Sequence, residues 1–330
     1  MNTKLIKELT SSLDLEFKNL NQILLNASSS KKTELLNQIA YHIIASGGKR
    51  IRPLLTIATA KLFQADDVTM QKVLRLASAI EFIHAATLLH DDVVDNSNSR
   101  RNNKTANYIW GNKPSILVGD FLFSQSFKQM VETENLKVFE ILADASAKIA
   151  EAEVWQLDIV GKLDLKYAEY IDLISAKTAN LFAAACECAA ILANATSKQV
   201  DASRDFGLNL GIIFQIQDDI CDYFGEPELL GKKTGNDFFE NKITLPILLL
   251  LQEASKEDLA DIKAILNKQD KTMDCLSKLM SYFKQHSIEE KSYADLNCFI
   301  NEGAANLECI PESHFKDMLS KLLQSYKKLI

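Results

Sequence analysis

Glycine and proline are scarce in this chain of 330 residues, 11 and 5 respectively, together under half of the roughly 12% of an average protein. So few turn residues leave little punctuation for short strands, which makes a sandwich or barrel a poor fit. An excess of positive charge is also missing. The formal net charge is -7, so no global basic field draws in nucleic acid or an anionic membrane, and the same acidity argues against anionic substrates. No continuous apolar run approaches the ~20 residues of a membrane span, since the longest, Ile243 to Leu251, is short and holds Pro246. Leu5, Leu9, Leu13, Leu20 and Leu24 recur at near-helical spacing among Lys, Glu and Asp, the pattern of an amphipathic helix and not of a signal peptide. A cytoplasmic protein is expected. The six cysteines read as reduced thiols, and Cys186-x-Cys188 has no second CxxC or His pair to complete a zinc site.

What is present is helical period almost everywhere. Breaks are expected at Ser28 to Ser30, Gly47-Gly48, Asn96 to Asn103, Gly111 to Pro114, Gly225 to Gly235 and Glu302 to Glu312. The stretches Ala77 to Leu89, Leu181 to Ala195 and Phe206 to Ile216 are apolar on most of their circumference, which marks helices buried on all sides. From Lys256 onward an ordinary alternation of Lys, Asp, Glu and Leu reads as solvent-facing helices. The expectation is an all-α fold, a single large bundle of about ten or more helices around a central cavity.

The segment Ile80 to Arg101, IEFIHAATLLHDDVVDNSNSRR, ends an apolar helix in Asp91, Asp92 and Asp95. Like charges at helical spacing repel, and burial adds a desolvation cost that a bound cation removes. Clustered carboxylates are hard ligands that suit Mg²⁺. One such cluster could be no more than a solvated acidic helix end, but FQIQDDICDYF repeats the spacing with Asp218, Asp219 and Asp222. Two clusters on two buried helices can face each other, and Mg²⁺ between them would hold a diphosphate through its phosphate oxygens. Basic residues stand nearby in the chain. Gly47-Gly48-Lys49-Arg50-Ile51-Arg52-Pro53 is a turn with three cations, with Pro53 placed to open the next helix, whose N-terminus would reinforce Lys49 and Arg52 as an anion pocket. Arg100 and Arg101 follow the first cluster; Lys232, Lys233 and Lys242 follow the second. Gly231-Lys232-Lys233-Thr234 is not a nucleotide-binding loop, because Lys233 separates Lys232 from the hydroxyl and a helix precedes it.

These motifs make the chain resemble the trans-type polyprenyl diphosphate synthases, most closely the octaprenyl diphosphate synthases of bacterial quinone biosynthesis. The resemblance is carried by GGKRIRP at 47–53, EFIHAATLLHDDVVD at 81–95, RR at 100–101, GDFLFSQSF at 119–127, KTANLF at 177–182, FQIQDDICD at 214–222 and GKKTGNDFFENKITLP at 231–246. It implies a single synthase domain over 1–330, with two or three Mg²⁺ per site held by the six aspartates, chiefly Asp91, Asp95 and Asp218. It implies isopentenyl diphosphate bound by Lys49, Arg52, His84 and Arg101, and an allylic diphosphate met by Arg100, Lys177, Thr178, Gln215 and Lys232. His84 aligns through Leu88 with Asp91, on the acidic face, where a lone histidine on an apolar helix is more often packed in a core. Lys177-Thr178 has apolar neighbours, Ile174, Ala176, Ala179 and Leu181, which favours an internal role over a solvent-facing one. Ionisation of the allylic substrate and attack by isopentenyl diphosphate would follow, with Thr178 and Gln215 dipoles steadying the cation. Ala86, five residues before Asp91, and Thr87 would gate product length, their small size leaving growth open past farnesyl, with a floor near Met130 or Trp155. A homodimer whose product passes to membrane enzymes is implied. The chain departs from relatives at Asn102-Asn103-Lys104, where glycine is common, and at Trp155. Shorter products, geranylgeranyl to heptaprenyl, stay open. A class I terpene cyclase would not need the Lys49/Arg52 pocket, and a non-catalytic synthase subunit would be expected to have lost one aspartate cluster.

Overall fold

The computed structural model describes residues 3–45, 48–100, 103–225 and 234–327; the expectations for Arg101, Lys232 and Lys233 lie outside them. The fold is all-α. Helices α1 (Thr3–Ser12), α2 (Asp14–Ala27), α3 (Glu34–Ala45), α4 (Ile51–Leu62) and α5 (Asp67–Val94) lead to a two-stranded ribbon, β1 (Ser99–Arg100) with β2 (Asn103–Lys104). Then come α6 (Ala106–Trp110), α7 (Asn112–Val131), α8 (Leu136–Ile159) and α9 (Tyr167–Ile174). A π-helical turn, Ser175–Ala179, joins α9 to α10 (Asn180–Leu192). The remainder is α11 (Ser197–Phe224), α12 (Asn236–Phe239), α13 (Leu245–Glu253), α14 (Lys256–Leu266), α15 (Met273–Gln285), α16 (Ile288–Asn306) and α17 (His314–Gln324). The ribbon inside the Asn96 to Asn103 break is the element that helical periodicity does not anticipate.

The chain forms two compact units that interleave along the sequence. The first comprises Met1–Ser146, Leu181–Gly207 and Asn306–Ser325; the second comprises Ala147–Asn180, Leu208–Ala305 and Tyr326–Ile330. In the first, α5 is the central element, capped by the Asp66 carboxylate on the Thr69 N–H at 2.8 Å and packed by α2, α4 and α7. Val73, Leu76, Ala77, Ile80 and Ile83 are fully buried. By length and composition α5 could cross a bilayer, so the statement that nothing approaches a span holds for unbroken apolar runs and not for this helix. Its most apolar stretch is 67% buried inside the protein, and Arg75, Glu81 and His84 interrupt it. In the second unit, Ala152, Ile159 and Leu173 form a small cluster with Trp155, Leu165 and Ala176 against it.

Several helix ends fall where no break was expected, because residues other than glycine adopt the left-handed conformation there. Gln64 (φ 56°), Asn194 (φ 56°) and Asn241 (φ 58°) close α4, α10 and α12. Each end carries paired bonds, such as Ala65 N–H to Ala60 C=O and Gln64 N–H to Lys61 C=O, both 3.2 Å, the Schellman arrangement that glycine ordinarily serves. Other expected breaks are shorter than drawn. Gly111 alone separates α6 from α7, Pro114 lies in the first turn of α7, and α16 runs on to Asn306. Helix α4 opens at Ile51, two residues before Pro53, which therefore sits within the first turn, where a missing N–H loses nothing.

Candidate active site

In the first unit, α5 delivers its carboxylates in two ways. Asp91 is half-buried and Asp95 exposed, whereas Asp92 is 2% exposed and engaged by the protein. Asn96, at φ 49°, turns the chain back with Ser97 N–H on Asp92 C=O at 2.9 Å. The Asn107 side-chain amide adds a second bond to that carbonyl at 3.0 Å. The returning ribbon then brings Arg100 against Asp92, with Nε and Nη2 each 2.9 Å from Oδ1. Burial pushes the Asp92 carboxyl above its ordinary range, and Arg100 partly counters it. Arg100, assigned by resemblance to substrate, is thus already half-committed to Asp92.

Arg52, in the first turn of α4, lies with its guanidinium carbon 4.5 Å from the centre of the Phe182 ring, a cation–π contact. Lys49 is exposed. Arg50, the cation between them, is structural: its Nη2 donates to Ile44 C=O at 3.1 Å and its Nε lies 3.9 Å from Glu81. His84 is half-buried and its carbonyl accepts the Thr87 hydroxyl at 2.8 Å. Ala86 is 1% exposed. Met130 is buried in the first unit, and Trp155 lies in the small cluster of the second.

In the second unit the π-helical turn carries Lys177 and Thr178, a distortion that often marks function. Lys177 Nζ is held by Glu153 at 2.8 Å and Gln156 at 3.1 Å. Thr178 Oγ1 donates to Gln215 Oε1 at 2.9 Å; Gln215 Nε2 donates to Asp219 Oδ1 at 2.8 Å; Tyr170 OH donates to Asp219 Oδ2 at 2.6 Å. Burial, foremost, pushes the Asp219 carboxyl up to about 7, opposed by its two donors. Asp222 is buried too, its Oδ2 accepting the Asp237 N–H at 3.0 Å and its carbonyl the Gly235 N–H at 2.6 Å. Asp218 is exposed. Lys242 pairs with Glu240 at 2.6 Å and draws down Asp237, whose burial raises it well above the usual range.

Sequence reasoning missed Glu153, Gln156, Tyr170 and Asp237. Tyr170 stands seven residues, two helical turns, before Lys177, and Asp237 lies inside the GNDFFENK segment; both were visible as positions and not as roles. Among the described residues no three His, Cys, Asp or Glu side chains form a ready cation cage. The two motifs divide differently: the first buries one aspartate, Asp92, and the second buries two, Asp219 and Asp222. Asp95 and Asp218 are exposed and Asp91 is half-buried, while Asp92, Asp219 and Asp222 are buried and accept hydrogen bonds from Arg100, from Tyr170 and Gln215, and from the Asp237 N–H.

The family model for polyprenyl synthetase matches residues 33–283. An octaprenyl diphosphate synthase of Haemophilus influenzae is 35% identical over 317 residues, 96% of this chain and 95% of that one. The crystal structure of a decaprenyl diphosphate synthase from Rhodobacter capsulatus superposes with a TM-score of 0.92 at 38% identity, covering 97% of this chain and 98% of that one. A Caulobacter crescentus polyprenyl synthase complexed with calcium and isoprenyl diphosphate gives 0.90 at 38% identity, covering 97% of each chain. A match over this much of the sequence means that the chain belongs to the polyprenyl synthetase family of prenyltransferases.

Proposed function

We propose that the protein is a long-chain all-trans polyprenyl diphosphate synthase, extending an allylic diphosphate such as farnesyl diphosphate with isopentenyl diphosphate to about eight isoprene units for a quinone side chain. The observation that supports the reading is that both DDxxD motifs pair a solvent-accessible first carboxylate, Asp91 and Asp218, with a buried and hydrogen-bonded second one, Asp92 and Asp219. Asp91, Asp95 and Asp218 are the residues that would hold Mg²⁺, two or three ions per site, and Asp92, Asp219 and Asp222 keep those helix ends in shape. When bound, Mg²⁺ neutralises the departing diphosphate so that the allylic C–O bond can break.

Lys49, Arg52, His84 and Arg101 bind the diphosphate of isopentenyl diphosphate in this reading, with Arg52 pre-oriented by the Phe182 ring. Lys177, Arg100, Lys232 and Lys242 receive the allylic diphosphate; Lys177 exchanges part of its contact with Glu153 for phosphate oxygens. Thr178 and Gln215 offer oxygen dipoles to the allylic cation without a nucleophile that would trap it. The double bond of the second substrate forms the new C–C bond, and a proton is then lost from that unit. Ala86 and Thr87 leave the wall of α5 small, and Thr87 spends its hydroxyl on the His84 carbonyl, presenting a methyl. A second copy of the chain is the proposed partner for the exposed apolar residues Leu117, Phe127 and Val131 of α7 and Leu136 of α8. The enzyme is placed in the cytoplasm, handing its product to membrane enzymes.

The test is incubation with farnesyl diphosphate, labelled isopentenyl diphosphate and Mg²⁺, with chromatographic sizing. A ladder ending near eight units, lost on chelation with EDTA, supports the proposal; a cyclised hydrocarbon or no need for isopentenyl diphosphate overturns it. Ala86→Tyr should shorten the product to the farnesyl or geranylgeranyl stage, and unchanged length would remove the gate from this position.

A further inference from the structure

Tyr170 is 2% exposed and packs its ring where phenylalanine would serve as well, so the hydroxyl calls for its own account. The hydroxyl has one partner in view, Asp219 Oδ2 at 2.6 Å. Its hydrogen is directed at that carboxylate oxygen. From there a directional chain runs back to the π-helical turn. Asp219 Oδ1 accepts from the NH₂ end of Gln215 at 2.8 Å. That choice turns Gln215 Oε1 towards Thr178, whose hydroxyl hydrogen is committed to it at 2.9 Å. Both remaining acceptor sites, on the Gln215 carbonyl and on Thr178 Oγ1, are then presented as negative ends of dipoles. With the amide flipped, the positive NH₂ end would stand there instead, the wrong sign for an allylic cation.

We propose that Tyr170 is a positioning residue for the prenyl transfer, its buried hydroxyl fixing Asp219 and, through it, the amide orientation of Gln215 and the hydroxyl of Thr178. This rests on the reading of Gln215 and Thr178 as the groups that meet the cation. Tyr170 lies on α9, two helical turns before Lys177, and Thr178, one of the groups that it orients, lies within the π-helical turn that follows α9.

The test is a double-mutant cycle with Tyr170→Phe and Gln215→Ala, measuring kcat and both substrates' KM per active site, with the melting temperature of each variant. Loss of one preorganised dipole lowers kcat by about a hundredfold; acting at one remove, Tyr170→Phe is expected to lower kcat about tenfold with KM within about twofold. In the Gln215→Ala background it should add less than about a twofold loss, because the orienting chain has no amide left to act on. A full repeat of the tenfold loss in that background, or an unchanged kcat in the single variant, overturns the proposal. Gln215→Ala alone separates the two levels of inference. If Gln215→Ala keeps its kcat, the reading of Gln215 fails; if it loses kcat while Tyr170→Phe does not, only the positioning role fails. Should Tyr170→Phe not fold, 3-fluorotyrosine at position 170 preserves shape and hydroxyl while altering donor strength, and a kcat equal to that of the unmodified enzyme would then refute the role.

Discussion

Gly207→Ala tests how tightly the diphosphate pocket is tied to helix packing. A Cβ built on Gly207 of α11 meets Phe182 O at 2.5 Å, and Phe182 C and Ala183 Cα at 2.9 Å, where ordinary contact begins at 3.4 Å. All three atoms are backbone of α10, so no side chain can swing away and the helices must part by about 0.9 Å. Alanine in place of glycine inside a helix gains about 1 kcal/mol of propensity, while overpacking a tight contact costs about 1–3 kcal/mol. Backbone against backbone belongs at the upper end, so the variant should lose about 2 kcal/mol. In a chain this long that is a fall in melting temperature of about 4 °C. The displaced residue is the one whose ring supports Arg52 at 4.5 Å, so the KM for isopentenyl diphosphate should rise by about threefold to tenfold, a loss of about 1 kcal/mol of cation–π alignment, with kcat less affected. Urea unfolding and steady-state kinetics on one preparation read both effects. A variant as stable as its parent would show that α10 and α11 slide apart freely, and a destabilised variant with unchanged KM would sever Phe182 from substrate binding.

The two kinds of aspartate should separate by assay. Asp91→Asn is expected to abolish most turnover with stability within about 0.5 kcal/mol of the parent. Asp92→Asn removes the carboxylate from a half-buried Arg100 and should cost about 2 kcal/mol in urea unfolding; equal stabilities for the two variants would contradict the split. Gln64→Gly relieves a left-handed residue at the end of α4 and should raise stability by about 1 kcal/mol, with a null result meaning that Gln64 is unstrained. Thiol titration should find Cys298, exposed, reactive in the native enzyme, while Cys186, pushed up to about 12 by burial, and Cys188, pushed higher, react only on unfolding; fast native reaction of either would refute their burial.

The all-α fold was legible because helical period needs only apolar spacing, and α5, α10 and α11 contain the stretches read as fully buried helices. Helix ends were harder to read. A chain poor in glycine must terminate helices with something else, and Gln64, Asn194 and Asn241 do so at a conformational cost that side-chain type alone does not advertise. Gly111 and Gly161 take positive φ with open space around them, while three other glycines serve close approach: Gly119 against the His90 ring, Gly207 against the α10 backbone and Gly235 under Leu276. The same limit applies to the site. Spacing placed six aspartates on two helix ends, but which of each set looks outward depends on partners distant in sequence, Arg100 for Asp92 and Tyr170 for Asp219. The early inference from a net charge of -7 against anionic substrates fails for a related reason. Charge summed over a chain says nothing of a place where buried carboxylates are held by donors of the protein and where, in the proposed function, the accessible ones hold a cation whose own charge sets the sign seen by a diphosphate.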